Sequence, residues 1–191
     1  MLTKPGKLFI FSAPSGSGKT TIVKFLLQNI EGLTFSVSAT SREMRAGEQN
    51  GKDYFFLSKE EFKTRIDNNE FLEWEEVYSG SFYGTLKSEV DGMLQQGKHV
   101  LFDVDVLGGL NIKQQYQNQA LAVFVKAPSI STLLERLKTR STDTEEQIQK
   151  RIEKAEFGMN YAEKFDYILI NDDLTKAQKE IRSIVLNFIN T

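Results

Sequence analysis

The stretch A-P-S-G-S-G-K-T at residues 13–20 decides how this chain is read. Before it lies K-L-F-I-F-S-A (7–13), a short apolar run that reads as a buried strand. After it Ile22, Val23, Leu26, Leu27 and Ile30 recur at three- and four-residue spacing, the period of an amphipathic helix. Strand, glycine loop and helix form the context in which the pattern G-x-x-x-x-G-K-[ST] binds phosphate. Glycines let successive backbone N–H groups curl around phosphate oxygens, and the helix N-terminus presents its positive end to the same anion. Gly18, Lys19 and Thr20 match the pattern, while Ala13 stands at the position of its first glycine and demands an ordinary L-residue φ there. Lys19 is placed to reach the β- and γ-phosphates of a nucleotide, and Thr20 to offer its hydroxyl to Mg²⁺.

Further along, V-L-F-D-V-D (100–105), A-L-A-V-F-V (120–125) and Y-I-L-I (167–170) read as strands. Near-continuous apolar strands are expected where helices cover both faces of a parallel sheet. Helical spacing runs from Leu86 to Gln96 and from Ser129 to about Lys138. Asp143 with Glu146 predicts a helix start continuing past Arg151, and Thr175 with Gln178 predicts the cap of a last helix carrying Ile181, Ile184, Val185, Phe188 and Ile189. Strands alternating with helices make the class α/β. Residues 35–85 differ in texture. Short runs such as F-S-V-S and Y-F-F-L are parted by glycine- and charge-rich turns, and Ser58 with Glu61 predicts a capped helix to about Asn69. A small mixed or antiparallel subdomain inserted into the main fold accounts for this.

Composition removes several chemistries. The 191 residues carry 24 Lys and Arg against 26 Asp and Glu, a formal charge of −2, which argues against a broad nucleic-acid footprint. There is no cysteine and one histidine, His99. Disulfide scaffolds, thiol catalysis, Cys-based zinc sites and iron–sulfur clusters are excluded, and a His-rich metal site with them. The longest apolar run has six residues, Ala120 to Val125, too short to cross a membrane. No signal-peptide core is recognisable at the N-terminus, so the expected location is the cytoplasm.

Asp103 and Asp105 close an apolar strand. Asp103 is the natural carboxylate for a phosphate-bound Mg²⁺, direct or through water, and Asp105 is placed to hold a second substrate or the metal shell. The phosphate loop by itself leaves ATPase, GTPase and kinase open. The segment S-A-T-S-R-E-M-R (38–45) adds two arginines three apart beside hydroxyls, a pattern suited to a second phosphate. A polar stretch with Tyr54, Glu73, Tyr83 and Thr85 follows, and a lid-like stretch holds Arg136, Arg140 and Arg151. Two phosphate-bearing substrates held face to face point to phosphoryl transfer between them. Taken alone, Tyr54 and Tyr83 also suit a core and Glu73 a solvated helix end. Trp74 and His99 carry no assigned chemistry.

The chain resembles the guanylate kinases, nucleoside-monophosphate kinases that use ATP and GMP. The matching stretches are SAPSGSGKT (12–20), TSREMRAGEQNGKDYFF (40–56), EFLEWEEVYSGSFYGT (70–85), FDVDVLGG (102–109), RSTDTEEQIQKR (140–151) and FDYILINDDL (165–174), which together run nearly the whole length. The resemblance implies a P-loop NTPase three-layer fold with a central parallel sheet, a GMP-binding subdomain and a helical lid. It implies one domain over 1–191, with a core of 1–34, 86–130 and 160–191, a GMP-binding insert at 35–85 and a lid at about 131–159.

By the same resemblance, Ser15, Gly16, Ser17, Gly18, Lys19, Thr20, Thr21 and Asn171 bind ATP, with Asn171 near the adenine. Ser38, Arg42, Arg45, Tyr54 and Tyr83 grip the GMP phosphate. Glu73 accepts hydrogen bonds from guanine N1–H and the 2-amino group, and Ser38 and Thr85 also contact the guanine. Asp103 and Asp105 are the acidic pair of the GMP and metal region, with Thr20 and Asp103 on Mg²⁺. Lys19, Arg136, Arg140 and Arg151 stabilise the transferring phosphoryl group. Ser141 replaces a frequent glycine of the family before Thr142-Asp143, and Leu107 replaces a frequent glutamine. The expected activity is transfer of the γ-phosphoryl of ATP to GMP, giving ADP and GDP. Its rivals are a catalytically weak phosphopeptide-binding module of the same fold and a kinase for another monophosphate. Monomer and homodimer both stay open.

Overall fold

A computed structural model describes residues 5–78, 80–139 and 145–191. The chain begins with β1 (Leu8–Ser12), α1 (Lys19–Asn29) and β2 (Leu33–Phe35). Next come β3 (Ala39–Thr40), β4 (Phe55–Phe56), α2 (Lys59–Asp67), β5 (Phe71–Tyr78) and β6 (Ser81–Leu86). Then follow α3 (Lys87–Gln95), β7 (His99–Asp103), α4 (Val106–Tyr116) and β8 (Ala120–Lys126). The last elements are α5 (Ile130–Thr139), α6 (Glu145–Met159), β9 (Tyr167–Ile170) and α7 (Leu174–Ile189).

Five strands pair in parallel in the order β2-β7-β1-β8-β9. The three central strands, β7, β1 and β8, are buried on both faces, whereas Phe35 of β2 and Ile168 and Ile170 of β9 are exposed at the edges. Phe9, Phe11, Leu101, Val123 and Leu169 pack with Ile22, Val23 and Leu26 of α1 and Ala177, Ile181 and Val185 of α7. Leu8, Ile10, Val100, Phe102 and Phe124 turn the other way, against Val90 and Leu94 of α3 and Val106 and Ile112 of α4. This is the α/β architecture with a central parallel sheet that the sequence predicts. Register then sets the site. Phe11 lies opposite Asp103 and Ser12 opposite Phe124, so the loop after β1 leaves the carboxyl edge of the sheet beside Asp103. Ligands of open α/β sheets bind at that edge.

A second sheet, β4-β3-β6-β5, is mixed: β5 and β6 form an antiparallel hairpin and β3 pairs parallel with β4. Its core is small and aromatic. Phe62 of α2 is fully buried and stacks on Phe71 with ring centroids 4.3 Å apart and on Phe82 at 5.6 Å. Gly84 lets the hairpin close, since a Cβ there would stand 2.7 Å from the Glu73 carbonyl oxygen. A third small cluster, Ala127, Leu133, Leu137 and Ala155, joins α5 to α6.

The structure departs locally from the sequence reading. The last helix is capped by Asp173, whose carboxylate accepts the Lys176 N–H at 2.9 Å, rather than by Thr175. Aspartate is the better N-cap, and Thr175 falls inside the first turn. Helix α4 and the long strand β5 have no periodic signal of their own. Ser58 caps α2 as its spacing predicts, accepting the Glu61 N–H at 3.1 Å. Ser141, Thr142 and Asp143 lie outside the described residues.

Candidate active site

The phosphate loop depends on two glycines in the left-handed region, Gly16 at φ +89° and Gly18 at φ +90°. At Gly18 there is also no room for a side chain, because a Cβ would stand 2.2 Å from Asn171 Nδ2. Ala13 keeps an ordinary φ, since Asn69 and Gln117 are the non-glycine residues with positive φ among those described. The Lys19 ammonium forms an ion pair with the Asp103 carboxylate and donates to the Val104 carbonyl at 3.2 Å. Both side chains keep some solvent contact. The loop lysine thus rests across the mouth of the loop, against the carboxylate that the β1–β7 register brings there.

Two clefts flank this loop. One, of about 660 Å³, is lined by residues 13–20, Asp103, Asp105 and Leu107, by Arg151, Lys154 and Phe157 of α6, and by Glu75 of β5. Arg151 Nη1 donates to Ser15 Oγ at 2.8 Å, which ties α6 to the loop. The other, of about 530 Å³, lies on the far side of Gly16 and Gly18, with Thr21, Thr132, Arg136, Asn171 and Asp172 on its walls. There Asn171 braces the loop. Its Nδ2 donates to the Ser17 carbonyl at 2.7 Å and its own carbonyl accepts Arg136 Nη2 at 3.0 Å. Asn171 is 3% exposed, and its Oδ1 and the Ser17 hydroxyl are buried with no hydrogen-bond partner among the described residues. Arg140 falls outside the described residues.

Asp105 joins the loop to the inserted sheet. It caps α4 by accepting the Gly108 N–H at 2.7 Å, and its carbonyl accepts the Ser12 hydroxyl at 2.9 Å. Gly108 in turn abuts Glu73, and a Cβ on Gly108 would lie 3.4 Å from Glu73 Oε2. The β5–β6 register sets Glu73 opposite Thr85, whose hydroxyl donates to Glu73 Oε1 at 2.7 Å. Burial pushes the Glu73 carboxyl above the usual carboxylate range, against the Thr85 hydrogen bond, and the charges of Asp105 and Glu75 push it the same way. Such a group has one oxygen fixed and little water to compete with a ligand's N–H donors.

An arginine–tyrosine cluster lies nearby on the inserted sheet, where β6 carries Tyr83 two residues before Thr85 and opposite Glu75. The Arg42 guanidinium lies over the Tyr54 ring at 5.1 Å and the Phe56 ring at 5.4 Å. Tyr54 and Tyr83 meet edge to face at 5.9 Å. Arg42, Tyr54 and Tyr83 are therefore brought together. Ser38 is half-buried where the chain enters β3, its carbonyl accepting the Phe55 N–H at 2.9 Å. Arg45 is exposed and enters the cluster through its backbone N–H, donated to Glu48 at 2.8 Å. Thr20 and Thr21 are exposed at the start of α1.

Three participants carry no assignment from the sequence. Glu48 holds Arg42 through two hydrogen bonds, of 2.7 and 2.5 Å. Phe56 adds a second ring beside the guanidinium, and the Val104 carbonyl is a resting partner of Lys19. Glu48 has a signal, an acid six residues after Arg42 across an Ala-Gly turn. The backbone carbonyl has none.

The family model described as guanylate kinase matches residues 5–187. A guanylate kinase of Bacteroides thetaiotaomicron is 53% identical over 185 residues, covering 97% of this chain and 91% of that protein. One from Porphyromonas gingivalis is 52% identical over 184 residues, 96% of this chain and 98% of that protein. The crystal structure of guanylate kinase from Anaplasma phagocytophilum superposes with a TM-score of 0.73 at 28% identity, covering all of this chain and 89% of that one. With the family model matched over residues 5–187 and relatives more than half identical over nearly the whole length, the chain belongs to the guanylate kinase family.

Proposed function

We propose that this chain transfers the γ-phosphoryl group of ATP to GMP, giving ADP and GDP, with ATP on the phosphate loop and GMP on the inserted sheet. The observation that carries this reading is the junction at Asp105 and Gly108, where the wall of the loop cleft meets the buried carboxylate of Glu73. Ionised Glu73 accepts guanine N1–H and the 2-amino group. Adenine offers neither donor there, and its N1 lone pair would face the carboxylate. Arg42, Arg45, Tyr54, Tyr83 and Ser38 hold the GMP phosphate, and Thr85 keeps Glu73 oriented while Asp105 borders the same pocket. In this reading the core is 1–34, 86–130 and 160–191, the GMP-binding insert 35–85 and the lid about 131–159.

The transfer needs no protein nucleophile. Orientation, charge compensation and exclusion of water supply the catalysis. Lys19 moves from Asp103 to the β- and γ-phosphates, and Arg136, Arg140 and Arg151 close over the transferring group. Asn171 holds the loop and borders the adenine. The donor set beside the loop, the Thr20 hydroxyl and the Asp103 carboxylate, suits Mg²⁺, which keeps several waters and takes only one or two protein oxygens. No group of three acidic or histidine side chains is placed to hold a metal ion among the described residues, and none is required for such an ion. When bound, the ion would neutralise phosphate charge. No helix among the described residues is long and apolar enough to cross a membrane. The cytoplasm, where ATP and GMP are found together, is the proposed location.

A coupled assay of ADP release with ATP and Mg²⁺ against GMP, dGMP, AMP, UMP and dTMP tests the proposal. GMP-dependent turnover well above that with AMP is expected. Absence of turnover with every monophosphate would overturn it and favour the phosphopeptide-binding module.

A further inference from the structure

We propose that Glu48 is the positioning residue of the GMP phosphate grip: it pins the Arg42 guanidinium so that one pair of its N–H donors stays presented to the phosphate. The inference rests on the reading of Arg42 as a phosphate ligand and adds to it a residue that never touches the substrate.

Five N–H donors radiate from a guanidinium. Glu48 takes one from each terminal nitrogen, through Nη1 to Oε2 at 2.7 Å and Nη2 to Oε1 at 2.5 Å. The Glu43 carbonyl takes the second Nη1 proton at 2.8 Å. Glu48 and Glu43 leave the Nε–H and the second Nη2–H, and the Tyr83 hydroxyl also interacts with the guanidinium. This remaining pair is parallel and matches two oxygens of a phosphate. The rings of Tyr54 and Phe56 at 5.1 and 5.4 Å restrict rotation of the group about its stem. Glu48 therefore occupies the end of the fork and leaves its side.

The backbone is arranged to hold Glu48 there. Residues 41–49 belong to no helix or strand, so the arginine stem alone would not fix the guanidinium. A turn closes from Arg45 to Glu48, whose N–H donates to the Arg45 carbonyl at 3.1 Å. Gly47 sits at its third position with φ +90°, a conformation that favours glycine. The Glu48 side chain reaches back to the Arg45 N–H at 2.8 Å, so one carboxylate fixes both arginine-bearing residues. Hydrogen bonds from Arg42, then from the Arg45 backbone, hold the Glu48 carboxyl down to about 2, so it stays ionised wherever the enzyme works. Arranging the arginine before the substrate arrives lowers the ordering cost of binding, which falls on GMP affinity rather than on the transfer step.

Steady-state kinetics of Glu48→Gln and Glu48→Asp test the assignment, with each substrate varied in turn. For Glu48→Gln, KM for GMP should rise about tenfold or more, while KM for ATP and kcat stay within about threefold of the parent. Glu48→Asp keeps the charge but is one methylene short of spanning both nitrogens, and should fall between the two. Thermal unfolding without ligand should change little, whereas the shift of Tm on adding GMP should shrink for Glu48→Gln. An unchanged KM for GMP would overturn the proposal. A lowered one would also do so, because it would make Glu48 a competitor of the phosphate. Equal loss on both substrates in both variants would reduce Glu48 to a folding role and likewise overturn it. Failure of the parent enzyme to use GMP would instead strike the reading of the site itself.

Discussion

Glu73 on β5 and Thr85 on β6 are cross-strand partners, and the Thr85 hydroxyl donates to Glu73 Oε1 at 2.7 Å. The pairing fixes a carboxylate where burial works against its charge. Burial, with the nearby charges of Asp105 and Glu75, holds the carboxyl above the usual range although the Thr85 bond favours ionisation. Protonation would replace an acceptor by a donor facing guanine N1–H. On the acid side, kcat/KM for GMP should therefore fall as pH drops through this raised value, above the ordinary carboxylate range. KM for ATP should not share that limb. The rate profile against pH with each substrate in turn checks this.

The same shift fixes a stability effect of opposite sign to the functional one. A carboxyl raised on folding contributes stability below its unfolded value and loses it as pH rises through its folded value, so ionised Glu73 costs stability at neutral pH. Glu73→Gln should raise Tm at neutral pH, by an amount that shrinks on acidification. It should lower kcat/KM for GMP by about two orders of magnitude or more. Calorimetry across pH together with GMP kinetics checks both. A variant with unchanged GMP turnover would remove Glu73 from base recognition.

Lys19 and Asp103 pair at the loop while keeping contact with solvent, so the pair contributes about 1 kcal/mol at most to stability. Lys19→Ala should leave Tm close to that of the parent. The charge it would bring to the transferring phosphoryl group has no nearby substitute on the loop, so kcat should fall by about two to three orders of magnitude. Calorimetry and turnover on one preparation separate these outcomes. Near-parent turnover would remove Lys19 from the mechanism.

How much of this was legible in the sequence follows from where the physics is local. Gly18-Lys19-Thr20 between an apolar strand and an amphipathic helix specifies a conformation within a few residues, and the structure agrees. The apolar runs at 100–105 and 120–125 likewise revealed strands buried on both faces. Strand β5 was harder to see, since F-L-E-W-E-E-V-Y alternates imperfectly and its register shifts at both ends of the hairpin. Helix α4 carries two glycines whose value lies in close packing. A Cβ on Gly109 would stand 2.7 Å from Ser12 Oγ, a contact that exists only once β1 and α4 are assembled. The resting partner of Lys19 and the clamp on Arg42 are tertiary in the same sense. Residue type showed that arginines gather near a phosphate, but not which carboxylate aligns them.

Gly18 offers a test of the loop itself. Its φ is +90°, and a Cβ added there would come within 2.2 Å of Asn171 Nδ2, which leaves no place for alanine. Gly18→Ala should cost about 1–3 kcal/mol from backbone strain alone. It should also push Asn171 away from the Ser17 carbonyl that it holds at 2.7 Å. KM for ATP should rise sharply while KM for GMP changes less. Kinetics with each substrate varied, with Tm measured alongside, check the prediction. Equal effects on both substrates would argue that the loop and the GMP sheet do not act separately.

Phe62 tests that separation from the other side. It is fully buried between Phe71 and Phe82 in a cluster completed by Ala39 and Leu86. Truncation to alanine in a packed core costs about 3–5 kcal/mol, which is large against so few supporting residues. The apolar clusters on the two faces of the parallel sheet do not include Phe62. Phe62→Ala should therefore loosen β3 to β6 first and scatter Arg42, Glu73 and Tyr83, whose positions depend on that sheet. GMP binding should be lost at temperatures where ATP binding persists, and limited proteolysis should cut first within 35–85. Titration of each nucleotide by calorimetry at low temperature reads the two sites independently. Simultaneous loss of both would mean that the inserted sheet and the parallel core unfold as one cooperative unit.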